Sequence, residues 1–205
     1  MADGGRDGGL IADEKGGCAV AEFFDALDED HIAFIARQPV FFVATAAPGG
    51  RINLSPKGYD VVRVLGPSRI AYLDLGGSGN ETQAHLAADG RITLMFCAFD
   101  NPAQILRVYG RGSFVVAGDA DYDALAAPFP RLPGARQIFD ITIDSVQTSC
   151  GWGVPRMALA GERATLVKYH AQQDPADRLQ RIASRSQSID GLPVRVQMIM
   201  PAAER

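Results

Sequence analysis

Short runs of β-branched and aromatic residues, broken by Gly, Pro, Asn and Asp, fill the chain from Val40 to Thr148. That is the pattern of strands joined by tight turns. Val40–Ala46 reads as one strand, and PGG at 48–50 is a turn. Ile52–Ser55 returns, with Ile52 and Leu54 alternating with Asn53 and Ser55, the period of two shown by a half-buried strand. Val61–Leu65, the turn GPS and RIAYLDL from Arg69 make a second pair. RITLMFCAF, the turn DNP and ILRVYGRGSFVVAG supply two or three more strands, and IFDITIDSVQT alternates again. VRVQMIM, from Val194, reads as a last strand.

Helical spacing is confined to a few places. DEDHIAFIARQ (28–38) begins with acids, carries Ile32, Ile35 and Ala36 on one side, and stops at Pro39, as a helix should. GGSGNETQAHLAADG (76–90) predicts a flexible loop and then a helix that Gly90 ends. Ser78 and Glu81 have the spacing of a capping box, and Asn80, with Gln83 three residues on, is a competing cap. DYDALAAPF and ADRLQRIASRS predict two short helices. One inserted helix among six to eight strands, with no βαβ alternation, predicts an antiparallel barrel or sandwich and excludes a doubly wound nucleotide fold. No composition break divides the strands, so residues 21–205 are expected to form one domain. Residues 1–20, rich in Gly and Asp, are expected to be a disordered lead-in.

Charge and composition narrow the partners. The 205 residues are 47% hydrophobic and 21% charged, with a formal net charge of -4, an ordinary soluble composition. No basic block occurs, so nucleic acid is not an expected partner. Apolar runs such as VFFVATAA are too short to span a bilayer, and the N-terminus has no apolar core of a signal peptide. Cys18, Cys97 and Cys150 form no CxxC. With no secretion signal they read as reduced thiols in a cytoplasmic protein. His31, His85 and His170 are scattered and have no neighbours at metal spacing, so no metal is expected.

Two stretches carry candidate chemistry. In RINLSPKGYD (51–60), Asn53 and Ser55 share one strand face, Pro56 withholds an N–H from any ladder, and Lys57 follows. Lys57 is either a solvated charge that deters sheet-edge pairing or the cation of a polar ligand lying along the strand. In Gly76–Thr82 the glycines allow close backbone approach. The following helix offers free N–H groups to a phosphate, and Ser78, Asn80 and Thr82 add side-chain donors. The competing reading is a capped helix after a loose loop. GSGNET fails the dinucleotide fingerprint at Thr82 and lacks a βαβ unit, and GGSGN fails the nucleophile elbow at Asn80.

Taken in order, RINLSPKG, AYLDLGGSGNETQAHLAADGRITLMF, LRVYGRG and QTSCGWGVP resemble the FMN-binding split barrels related to pyridoxamine 5'-phosphate oxidase. The resemblance runs from about Asp28 to Gly153, and SQSIDGLP is similar to an uncharacterised branch of that group. It implies a mainly β (α+β) fold, a six-stranded antiparallel Greek-key split β-barrel with peripheral helices. It also implies a homodimer with FMN at the subunit interface and two-electron redox on a small-molecule substrate. Asn53, Ser55 and Lys57 would then face the flavin, Ser55 as a donor and Lys57 as an electrostatic partner. The strand ending at Tyr72–Asp74 would line the ring with its backbone. Ser78, Gly79, Asn80 and Thr82 would receive the phosphate. Gln104 falls one position before the family's flavin-contacting Gln. Trp152, between Gly151 and Gly153, would pack by the flavin of the second subunit or serve as a plain packing anchor.

The chain also departs from the resemblance. The family has Ser-Arg-Lys where this sequence has Ser78, Gly79 and Asn80, so both phosphate-binding cations are missing there. No residue stands out as an acid or base. A non-catalytic flavin-binding sensor, or the same barrel using deazaflavin or haem, are the rival readings. The family's substrate-phosphate set also fails to match: DYDALAAPFPRLPGARQ keeps Tyr122 and Arg131 without the following Ser. The C-terminal stretch has Arg195 and no His. An efficient pyridoxamine 5'-phosphate oxidase is therefore not expected.

Overall fold

The structure, a computed structural model, describes residues 21–195. The lead-in at 1–20 and most of VRVQMIM lie outside those residues. Eight strands form one sheet: β1 (Glu22–Phe24), β2 (Phe41–Thr45), β3 (Asn53–Lys57), β4 (Val62–Gly66), β5 (Arg69–Leu75), β6 (Arg91–Cys97), β7 (Gln104–Val116) and β8 (Ala135–Cys150). Their order is β3-β2-β6-β7-β8-β5-β4, with β1 also on β8. Every pairing is antiparallel. The fold is thus mainly antiparallel β with a few helices, as expected, and among the described residues the sheet has eight strands where six were expected. Three strands have one partner each among the described residues: β1 pairs with β8, β3 with β2 and β4 with β5.

The long β7 and β8 let one sheet curl over itself. The first half of β8 carries β5 (Arg69↔Thr142 to Leu75↔Ala135) and the second half carries β1. At Tyr109/Gly110 the β7–β8 register shifts, and such a bulge bends the ladder. Gly110 is required there, because a β-carbon would overlap the Thr142 carbonyl oxygen. The curl brings β2 over β5: the ring of Phe41 meets Tyr72 edge-on with centroids 5.6 Å apart. Phe41 stacks on Phe96 at 5.5 Å, and Tyr72 packs on Phe139 at 4.9 Å. Each such pair adds about 0.5–1.5 kcal/mol beyond its buried area. The core around it, from Val43 and Leu94 to Leu106, Ile138 and Val146, is closed to solvent.

The helices are α1 (Glu29–Arg37), α2 (Glu81–Ala88), α3 (Tyr122–Ala126), α4 (Thr165–Ala171) and α5 (Pro175–Ala183). Asp28 caps α1 and His31 returns a bond to the Asp28 backbone. α2 lies against β7, β2 and β6 with Ala84, His85 and Leu86 buried. The capping box expected of Ser78 and Glu81 does not form, and Asn80, though at the N-cap, makes no side-chain bond to the helix. Its side-chain oxygen accepts from Gln137 Nε2 at 2.7 Å instead. α4 was not foreseen. No helix among the described residues is long and apolar enough to cross a membrane.

β3 explains its own odd sequence. Among the described residues it pairs with β2 alone, so Pro56 sits on an edge where its missing N–H leaves no ladder bond open. The strand is also turned inside out. Ile52 and Leu54 are 78% and 64% exposed, while Asn53, Ser55 and Lys57 are the half-buried positions. The period of two was legible in the sequence, but the polar face points in.

Candidate functional site

The inward face of β3 opens on a cleft of about 570 Å³. Its walls are β3, the end of β5, the loop 76–80, the first turn of α2, and the segment after α5. Asn53, Ser55, Lys57, Asp74, Ser78, Gly79, Asn80 and Thr82 all line it. Tyr72 does not: its side chain is wholly buried in the aromatic core, and that burial, with Asp74 nearby, holds its hydroxyl well above the usual value. Gln104 and Trp152 also lie away from it. Gln104 opens β7 opposite Cys150, and Trp152 is 63% exposed in the turn after β8. Tyr122 and Arg131 line a separate hollow beside α3.

A buried carboxylate organises the cleft. Asp74 pairs with Gln137 and Leu75 with Ala135, so Arg136 is the extra residue of a β-bulge. The bulge breaks the alternation of β8 and aims neighbouring side chains at one acceptor. Arg136 Nε donates to Asp74 Oδ2 at 2.5 Å, and Gln137 Nε2 donates to the same oxygen at 2.9 Å. Lys57 Nζ takes Oδ1 at 3.1 Å. Asp74 is only 1% exposed. Burial pushes its carboxyl up, but the charges of Arg136 and Lys57, with hydrogen bonds from Arg136 and Gln137, outweigh that and hold it below the usual carboxylate range.

A second, neutral network fixes the polar face of β3. Asn53 Nδ2 donates to Thr45 Oγ1 at 3.2 Å and to Thr82 Oγ1 at 3.1 Å, joining β3 to β2 and α2. Ser55 Oγ donates to Asn53 Oδ1 at 3.1 Å. Ser55, expected as a donor to a ligand, thus gives its proton to Asn53 and turns lone pairs outward. Behind Thr45 the buried ring of His85 shares a bond with Thr45 Oγ1 at 3.1 Å, and its Nε2 has no partner among the described residues. His170 contacts the Gly76 carbonyl through Nε2 at 2.7 Å.

The loop carries no cation at positions 79 and 80, but two arginines reach it from elsewhere in the chain. Arg136 and Arg185 both line the cleft. Arg136 Nη2 donates to the Gly79 carbonyl at 2.9 Å, and Arg185 donates to the Gly77 carbonyl. Sequence reasoning missed both, because they lie tens of residues from the loop and only the β5–β8 pairing and the chain's return after α5 bring them back. The one local signal was GARQ, which puts two polar residues in succession at the head of a strand. The segment after α5 is latched across the mouth: the Ile189 N–H donates to both oxygens of Glu81, at 3.1 and 3.2 Å, and Asp190 accepts from the Arg51 backbone at 2.7 Å.

The Asp74 cluster sets a pH dependence. A carboxylate whose folded value lies below its unfolded one adds stability that is complete above the unfolded value, about 4. That stability is lost as pH falls through the folded value. Asp74→Asn is expected to cost about 3–5 kcal/mol at neutral pH, by leaving Lys57 and Arg136 without their counter-charge, and to flatten the acid limb. Urea denaturation over the acid range checks this. A variant as acid-sensitive as the parent would assign that limb to other carboxylates.

Comparison with known proteins bears on the same region. The family model described as pyridoxamine 5'-phosphate oxidase matches residues 27–150. The pyridoxamine 5'-phosphate oxidase family protein ustO of Aspergillus flavus is 40% identical over 148 residues, 70% of this chain and 59% of that protein. The chain therefore spans less than two thirds of that relative's length. A crystal structure of a pyridoxamine 5'-phosphate oxidase homologue from Lactobacillus delbrueckii superposes with a TM-score of 0.50 at 19% identity, over 60% of this chain and 94% of that one. An FMN-binding protein from Syntrophomonas wolfei aligns with a TM-score of 0.41 at 17% identity, over 56% and 80%. The family model alone spans more than half of the residues, and the chain belongs to the pyridoxamine 5'-phosphate oxidase family.

Proposed function

We propose that the chain binds FMN in the cleft along β3 and acts as a flavin-dependent oxidoreductase on a small molecule. The observation that carries this is the inverted strand: Ser55 and Lys57 face inward into a cleft that ends at a glycine-rich loop, a helix N-terminus and two arginines. A volume of about 570 Å³ is in the range of cofactor-sized sites, roughly 300–1,000 Å³. Arg136, Arg185 and the first turn of α2, which Asn80 leaves without a side-chain cap, fit a phosphate. Asn53, Ser55 and Lys57 fit the polar edge of a ring. A bound flavin would supply the two-electron redox chemistry. The protein's part is to orient it against β3 and to set the charge beside it through Lys57, whose ammonium Asp74 holds in place.

The phosphate assignment has a direct test. Arg185→Ala is expected to weaken FMN binding by one charge-assisted contact, about 1.5–3 kcal/mol. Riboflavin, which lacks the phosphate, should bind the variant and the parent alike. Fluorescence titration with both flavins reads this. Equal losses for FMN and riboflavin would remove Arg185 from the phosphate site, and no flavin binding by the parent would remove the flavin.

The outer face of the same strand supports a homodimer. Ile52 and Leu54 are exposed, and Leu54 and Pro56 pair with Ala44 and Phe42, which in turn pair with Thr93 and Met95. Alternation puts these residues on one outward face, and such an apolar face is a typical two-fold contact. Leu54→Arg is expected to shift sedimentation from dimer to monomer. A parent that sediments as a monomer would end this reading.

The namesake reaction is not proposed. Tyr122 and Arg131 face a hollow other than the cleft. Arg195 is engaged by Asp119 at 2.6 and 3.0 Å. With FMN, oxygen and pyridoxamine 5'-phosphate, kcat/KM is expected to stay below about 10⁴ M⁻¹s⁻¹, the low end for ordinary enzymes. Turnover above that, followed as pyridoxal phosphate, would identify the substrate instead.

A further inference from the structure

Behind the glycine-rich loop, on the side away from β3, lies a second cavity of about 340 Å³, covered by α4 and α5. Arg136, Arg178, Arg181, Arg185 and Arg195 line it, and no carboxylate among the described residues does. The whole chain carries a net charge of -4, so this concentration of positive charge is not a reflection of composition. Two of the five have their counter-charges elsewhere: Arg136 holds Asp74 and Arg195 holds Asp119. The other three form no ion pair among the described residues. Arg178 donates to the Ala135 carbonyl at 3.2 Å, Arg185 donates to the Gly77 carbonyl, and Arg181 lies over the Tyr169 ring at 5.3 Å. Guanidinium groups gathered in a cavity without carboxylates repel one another and are stabilised by an oxyanion that takes their forked donors.

The rest of the lining says what the anion is attached to. Leu166, Ile182, Val116 and Val194 give the cavity an apolar wall. Gln173 also lines the cavity, and its buried Nε2 has no hydrogen-bond partner among the described residues. A bare inorganic ion would leave that apolar wall wet. We infer that this cavity is a second ligand site, for a compact organic anion with a phosphate or carboxylate head and an apolar body. A volume of 340 Å³ is at the small end for ligand pockets, about 300–1,000 Å³, and too small for a dinucleotide. The site shares Gly77, Ser78, Asn80, Arg136 and Arg185 with the flavin cleft, but Arg178, Arg181 and Leu166 belong to it alone. The residues that belong to it alone are the ones that distinguish it from the flavin cleft.

Phenyl phosphate is a suitable probe, with inorganic phosphate as the head alone and phenol as the body alone. Calorimetric titration of the full chain, with and without added FMN, is expected to show saturable binding of phenyl phosphate at least tenfold tighter than either part. Arg178→Gln combined with Arg181→Gln should weaken it about ten- to a hundredfold or more, one to two charge-assisted contacts at about 1.5–3 kcal/mol each and 1.4 kcal/mol per tenfold. FMN affinity should not change, because neither residue lines the flavin cleft. Leu166→Trp, which fills the cavity and leaves the arginines, should abolish phenyl phosphate binding with unchanged circular dichroism. Absence of saturable binding below about 10 mM would overturn the proposal. So would binding unaltered in both variants, which would place the probe away from Arg178, Arg181 and Leu166.

Discussion

A single buried carboxylate, Asp74, ties the edge strand β3 to the paired strands β5 and β8. It sits near the end of β5, inside the core boundary, and would be costly to bury alone. The ammonium of Lys57 comes to it from the edge strand β3, and the guanidinium of Arg136 from the bulge in β8. The strand order puts β3 and β5 near opposite ends of the sheet, so the pair with Lys57 is a clasp across the open side of a curled sheet. The hydrophobic core and the Phe41–Tyr72 contact supply most of the energy of that curl. The charged cluster supplies its register, because two cations and an amide must meet two oxygens at once.

The site follows from that clasp. Holding Lys57 inward holds the whole polar face of β3 inward, and Asn53 completes the arrangement by bonding to Thr45 and Thr82. With the polar residues turned in, Ile52 and Leu54 have nowhere to go but out. The cleft and the exposed apolar edge are two results of one strand orientation. A protein that needed only stability would place these residues the other way round.

Much of the fold was legible in the chain because alternation and turn residues are local signals. β2 to β8 follow the apolar runs closely, α1 begins at Asp28 as the acids indicated, and Pro56 correctly marked an edge. What was not legible depended on tertiary geometry. Alternation says that a strand has two faces but not which one the core will take, and β3 took the unusual choice. The capping box at Ser78 and Glu81 was lost because Gln137 and the backbone of Ile189 compete for Asn80 and Glu81. Arg136 and Arg185 were invisible because a bulge re-aims one and a returning segment carries the other. The loop residues from Ser78 to Thr82 and the strand residues from Asn53 to Lys57 do meet in one cleft. Gln104 and Trp152 lie away from that cleft in their own chain.

The glycine-rich loop has a consequence of its own. Gly76, Gly77 and Gly79 belong to the most freely moving kind of backbone, and ordering them is entropically expensive. Yet three of their carbonyls are each held by a side chain from a different part of the molecule: His170 of α4, Arg185 beyond α5, and Arg136 of β8. The freedom of the loop is therefore surrendered when the chain folds, not when something binds. An incoming molecule meets a rigid cradle of amides already assembled, and its contacts with the loop go toward affinity instead of toward ordering.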